Sequence, residues 1–136
     1  MTNTPQRPLP ILSNDTRAFW TGGARRQLLI EECDRCAYLI HPPTGYCPKC
    51  ESRDTHFAAV SGEGFVESFS INYRQWMPGL PERYVVALIR LREQEDVRLP
   101  TNIVNCAPEN VTFDMPVKVL FEQAEDIWVP LFEPAS

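Results

Sequence analysis

The chain has 136 residues, 43% of them hydrophobic, enough for one modest core and too few for a second large one. Its formal net charge of −5 is split unevenly: residues 1–60 carry 7 basic and 6 acidic side chains, residues 61–136 carry 6 and 12. That balance counts against a nucleic-acid binder, whose affinity comes mostly from neutralising phosphate, and no apolar run of about 18 residues is present to cross a bilayer.

The first twelve residues contain Pro5, Pro8 and Pro10 and predict an extended segment. They hold no apolar run of signal-peptide length, so the cytoplasm is the expected compartment, where thiols stay reduced. In SNDTRAFW, Ser13, Asn14 or Asp15 offers an N-cap and Thr16 to Trp20 a first helical turn or two. Gly22 and Gly23 should stop or kink that helix. ARRQLLIEE then reads as a second short helix running into a strand.

Four of the five cysteines follow, as two CxxC pairs separated by ten residues: Cys33 and Cys36, then Cys47 and Cys50. Two such turns can aim four thiolates at one ion, the arrangement of a structural Zn²⁺ site. Pro48 fixes φ inside the second turn, and AYLIHPPTGY is long enough for a two-strand excursion turned around Pro42 to Gly45. A closed Cys₄ shell has no open position for water or substrate, so it folds the segment and performs no chemistry. Iron in the same geometry, giving an electron carrier, is the alternative. His41 and His56 read as ordinary surface or turn histidines, and Cys106 as a small buried side chain.

From Ser61 the pattern turns to strands. GEGFVESFSINYR places Phe65, Phe69, Ile71 and Tyr73 on one face, with Glu67 breaking the alternation. MPGLPE is a loop. YVVALIRL reads as a central strand. REQED is a turn, and VRLPTNIVNC a strand in which Pro100 demotes part to an edge or bulge. APENVT is a connector with room for one helical turn. MPVKVLFEQ turns Val117, Val119 and Phe121 inward, and IWVPLFEP ends the chain. Five short antiparallel strands suit an OB-type barrel, and an SH3-like barrel has a similar count. No GxSxG, HExxH, phosphate-cradling loop or carboxylate pair stands out, so the residues favour a binding or assembly module over an enzyme.

The combination of a helical region ending in FW, CxxC…HPP…CPxC, YVVALIRL, TNIV, MPVKVLFE and WVPLFEPA resembles the zinc-ribbon-plus-OB-fold family. That family was long catalogued as a domain of unknown function and described as acyl-CoA-associated or nucleic-acid-binding. The resemblance covers residues 13–135 and favours the OB barrel. It implies a mainly β protein: an N-terminal tail and helical segment over 1–28, a Cys₄ zinc ribbon over 29–58 and a five-stranded OB-fold barrel over 59–136. It also implies a non-catalytic small subunit of a thiolase-like acyl-CoA enzyme (thiolase, acyltransferase or aldol lyase, the steroid side-chain-CoA aldolase being the favoured case). The partner would carry the catalytic residues, acyl-CoA would lie near the shared interface, and two plus two subunits is the natural assembly. Three positions depart from the family pattern. Pro100 stands where Leu is more usual, which predicts an interruption of strand pairing. Ala37 and Glu51 follow the second and fourth cysteines where glycine is usual, which predicts slightly wider knuckles.

Several residues are candidates for the partner or CoA. Phe19 and Trp20 either pack on the chain's own ribbon or dock on the partner. Arg25 and Arg26 either meet CoA phosphates or form a solvated face. Trp76, Met77 and Leu80 lie in a loop that OB folds use for ligands. Phe65, Phe69 and Tyr73 share one face and are expected in the core; as stacking platforms for bases they would instead support the alternative function, single-stranded nucleic-acid binding.

Overall fold

A computed structural model describes residues 9–74 and 83–135. Trp76, Met77 and Leu80 lie outside the described residues. The short helix α1 (Arg17–Thr21) is followed at once by a 3₁₀ turn, Gly22–Arg25, so the two glycines build a tighter turn instead of a second α-helix. The chain then enters β1 (Leu28–Cys33). β1 is the centre of a three-stranded antiparallel sheet, between β2 (Leu39–Ile40) and β3 (Thr55–Val60). The excursion between the two cysteine pairs is therefore not a hairpin of its own. Its one strand pairs back onto β1, and the His41–Pro42 peptide after it is cis. β3 was not foreseen: THFAAV follows the last cysteine without clear alternation, and its pairing with β1 is long-range.

The remaining five strands close a barrel in the order β4-β5-β6-β8-β7. They are β4 (Glu63–Asn72), β5 (Tyr84–Leu91), β6 (Gln94–Ile103), β7 (Pro116–Ala124) and β8 (Ile127–Pro134), and a 3₁₀ turn, Pro108–Asn110, lies between β6 and β7. The expected strands are all present. One pairing differs: β6 and β8 run parallel and meet through a single pair, Ile103 with Phe132. β6 is otherwise paired on the β5 side alone, and Pro100 sits in that one-sided stretch opposite Leu88. The proline marks an edge, because it has no N–H to donate.

β4 corrects the expected facing. A bulge between Val66 and Ser68 inserts Glu67, so the inward face is Gly64 and Val66 before it and Phe69 and Ile71 after it. A single extra residue inverts the alternation of everything beyond it. Phe65 accordingly lies outside, 5.2 Å from the Arg90 guanidinium, and Tyr73 is 67% exposed, so neither is core.

Ribbon and barrel share one core. Phe19, Leu28, Ile30 and Leu39 belong to the same apolar cluster as Val66, Ile89, Leu99, Val117 and Phe132. The 3₁₀ turn fits against the barrel because Gly23 has no side chain; a Cβ there would sit 2.6 Å from Trp128 Cβ. Gln94, the first residue of β6, donates to the Leu39 carbonyl at 2.8 Å and accepts from the Leu39 N–H at 2.9 Å, so its amide caps the free edge of β2 as a neighbouring strand would. The Tyr38 hydroxyl donates to Asp96 at 2.6 Å beside it.

Candidate functional site

The four thiols converge. Cys33 ends β1 and Cys36 follows within its turn; Cys47 and Cys50 form the second turn before β3. All four sulfurs lie within 4.8 Å of one another, with Cys33 to Cys50 at 3.5 Å and Cys36 to Cys47 at 3.6 Å. A tetrahedron with Zn–S of about 2.3 Å separates its sulfurs by about 3.8 Å, so the donor set and spacing fit one Zn²⁺.

The two turns are built alike. The Arg35 N–H donates to Cys33 Sγ and the Lys49 N–H to Cys47 Sγ, both at 3.4 Å. The Ala37 N–H closes onto the Cys33 carbonyl at 3.0 Å, and the Glu51 N–H onto that of Cys47 at 2.8 Å. This closure puts Ala37 and Glu51 in the left-handed region, with φ of 61° and 65°. These are the positions where glycine is usual in the family, and both turns close through a backbone hydrogen bond without it. N–H donors favour thiolate at the first cysteine of each turn. At Cys36 the backbone of Tyr38 also lowers the thiol, but burial and the neighbouring cysteines push it up to about 12, and Cys50 is raised as well. The Cys33 thiol is drawn below its usual value, first by the backbone of Cys36. For Cys47 burial works the other way, but the N–H groups of Cys50 and Lys49 outweigh it and bring the thiol down to about 7.

Beside the metal turns, Glu31 is buried within β1 at 3% exposure. Its carboxylate accepts from the Thr44 N–H at 2.9 Å, from the Gly45 N–H at 3.1 Å and from the Thr55 hydroxyl at 2.7 Å. It pins the Pro42–Gly45 loop to the sheet. In LLIEEC nothing separates it from Glu32, which instead meets exposed His56 at 2.8 Å. Asp34 holds the other nitrogen of His56, and the two carboxylates raise its pKa, Asp34 first.

His41 sits in the expected turn, but it is only partly exposed. Its ring packs 4.9 Å from that of Phe19, its Nδ1 is buried without a hydrogen-bond partner among the described residues, and burial pushes its pKa down to about 4. It lines a cleft of about 400 Å³ where α1, the Pro42–Pro43 turn and the β6–β8 seam meet. Of the N-terminal aromatic pair, Phe19 is 6% exposed and belongs to the chain's own core. Trp20 stands edge-on to it at 4.8 Å, half-buried, and lines the cleft. Arg25, the last residue of the 3₁₀ turn, and Arg26 just after it are exposed and absent from the cleft wall. Cys106 is partly buried, and burial raises its thiol. Among the described residues no helix is long and apolar enough to cross a membrane.

Two family models match in tandem: the rubredoxin-like zinc ribbon domain of ChsH2 over residues 20–56 and the C-terminal OB-fold domain of ChsH2 over residues 58–122. A DUF35 domain-containing scaffold protein of Methanocaldococcus jannaschii is 32% identical over 113 residues, 79% of this chain and 77% of that protein. The chain belongs to the ChsH2 (DUF35) family. Membership makes the Cys₄ centre a zinc-ribbon site and the barrel an OB fold, and the clustered thiols of Cys33, Cys36, Cys47 and Cys50 fit its structural Zn²⁺.

Other members are similar at comparable identity. A probable enoyl-CoA hydratase alpha subunit of Thermomonospora curvata is 37% identical over 131 residues, 95% of this chain. The 3-oxo-4,17-pregnadiene-20-carboxyl-CoA hydratase alpha subunit of Mycobacterium tuberculosis is 30% identical over 125 residues, 92% of this chain. The chain spans only 40% and 39% of the length of these two relatives. A chain of the solved Ltp2-ChsH2(DUF35) aldolase superposes with a TM-score of 0.85 at 32% identity, covering 94% of this chain and 100% of that one. A DUF35 protein of Sulfolobus solfataricus shares the fold, with a TM-score of 0.65 at 19% identity over 89% of this chain and 85% of that one.

Proposed function

We propose that this chain is a non-catalytic zinc-binding subunit that assembles with and supports a thiolase-like acyl-CoA enzyme, with a steroid side-chain-CoA aldolase as the specific case. The observation that carries the reading is the match along the whole of a chain in the Ltp2-ChsH2(DUF35) aldolase, at 32% identity. The chemistry of the chain agrees. A zinc bound by four thiolates has no vacant position for substrate, and the buried carboxylate of the ribbon, Glu31, is already hydrogen-bonded within the fold. Reaction chemistry therefore falls to the partner. Two plus two subunits is the proposed assembly, in the cytoplasm, where reduced cysteines keep their zinc. Arg25 and Arg26 are the proposed contacts for CoA phosphates, and Trp20, Trp76 and Met77 for the partner or acyl chain.

The test is a tagged pull-down from the native host, followed by activity of the partner with and without this chain. A thiolase-sized partner whose acyl-CoA lyase activity appears only on mixing supports the reading. Equal activity of the partner alone sinks it. A second reading, service in a hydratase, is favoured by the 37% identity to the Thermomonospora curvata alpha subunit; recovery of a hydratase subunit in place of a thiolase-like one would select it.

A further inference from the structure

The cleft at the β6–β8 seam has the make-up of a small-molecule site. Its volume of about 400 Å³ lies in the range of ligand pockets. Its wall is mostly apolar, from Phe19, Trp20, Val86, Leu99, Val129 and Leu131 among others, and among the described residues no charged side chain contributes to it. It exists because the barrel is not zipped there. β6 and β8 meet only at Ile103 and Phe132, and the Thr101 hydroxyl spans the gap to the Pro130 carbonyl at 3.1 Å. Pro100 and Pro130 line the same cleft on the two strands, and neither has an N–H with which to close it.

One polar group in the wall stands out. The Nδ1 of His41 is buried and has no hydrogen-bond partner among the described residues. A buried nitrogen left in that state is destabilising. It is relieved when a ligand supplies the missing partner, a hydroxyl to donate or a carbonyl to accept according to the ring's tautomer.

We propose that this cleft binds a neutral, largely apolar small molecule carrying a hydroxyl or carbonyl, with His41 as the polar contact and Phe19, Trp20 and the β6–β8 seam as the apolar walls. Neutrality follows from the wall: it offers no counter-charge, and burying an unpaired ion there would be strongly unfavourable. The inference does not depend on which enzyme the chain serves, and its measurement needs no partner.

The experiment uses the zinc-loaded full chain at neutral pH and three aromatic probes of similar size: 2-naphthol, 2-methylnaphthalene and 2-naphthoate. Binding of 2-naphthol is read by its fluorescence, and that of the other two by competition. The expected order is 2-naphthol tighter than 2-methylnaphthalene by roughly three- to tenfold, the worth of one hydrogen bond, with the anionic naphthoate weakest. His41→Phe should abolish the preference for naphthol while leaving 2-methylnaphthalene bound. Val86→Trp, at a position already 39% exposed, and Val129→Trp should each block all probes, with zinc content and far-UV circular dichroism checking the fold. Naphthol binding that neither tryptophan disturbs would overturn the proposal. So would a tighter naphthoate, or no binding by the folded chain. If the chain binds no probe but Val86→Trp loses a co-purifying subunit, the cleft is a protein contact and the proposal falls while the subunit reading stands.

Discussion

Ala37 and Glu51 hold the left-handed turn conformation without glycine, at φ of 61° and 65°. An L-residue there carries a steric penalty of about 1–2 kcal/mol that glycine lacks, partly offset by glycine's greater freedom in the unfolded chain. Ala37→Gly and Glu51→Gly should therefore each raise stability, by roughly 0.5–1 kcal/mol, as read from the urea midpoint of the zinc-loaded protein. The two histidines predict opposite pH slopes. His41 titrates at about 4 in the fold against an ordinary 6.5. The unfolded chain therefore takes up that proton first, and stability falls as pH drops from about 6.5 towards 4, by on the order of 3 kcal/mol in full. His56 is raised. Its contribution is present below about pH 6.5 and is lost as pH rises through its folded value. Thermal melts across this range should show Tm falling on the acid side, and His41→Phe should flatten that limb while leaving the other. His41 also marks a limit of the sequence. HPP announces a turn, but whether its histidine faces water depends on Phe19, twenty-two positions earlier, which no local pattern connects to it.

The strands of the barrel were legible because β-branched and aromatic residues recur between turn residues, and the cysteine spacing left little doubt about the ligands. What failed was facing and pairing. Glu67 was visible as a break in the alternation, yet the break read as an exception inside a regular strand instead of a bulge that reverses it. β2 is two residues long and gains its definition from its neighbours, β1 on one side and the Gln94 amide on the other. That amide ties the edge of the ribbon to the barrel. Gln94→Ala should remove both bonds to Leu39 and cost about 1–3 kcal/mol, since two buried backbone groups lose their partner. Hydrogen exchange at the Leu39 amide should rise well above that at Ile30, in the middle of β1; equal protection at both would show that water replaces the amide without loss.

At the level of the whole molecule, ribbon and barrel are two motifs in sequence but one apolar cluster in space, joined through Phe19, Leu28, Ile30 and Leu39. Zinc should therefore stabilise more than its own turns. Structural zinc in small domains contributes about 10–16 kcal/mol of apparent binding energy, comparable with the total stability of a domain. Displacing the metal with a mercurial, with released zinc read by a metal-sensitive dye, should yield one zinc per chain and lower the melting of the entire fold in a single transition. A barrel melting unchanged while the ribbon alone unfolds would show the shared core to be too weak to couple them. The sequence resemblance anticipated the association of ribbon and barrel, but not this shared interior, because the residues that make it are the ordinary apolar positions of β1 and α1.

The proline-lined seam has one more consequence. A barrel closed through a single strand pair leaves strand flanks unpaired beside it, and such flanks are templates on which another chain can add a strand and begin a fibril. Here the one-sided stretch of β6 contains Pro100, and β8 contains Pro130 across from it. Each breaks the row of donors that an incoming strand would need. The imperfection that leaves room in the barrel wall thus also guards the chain against polymerising through it.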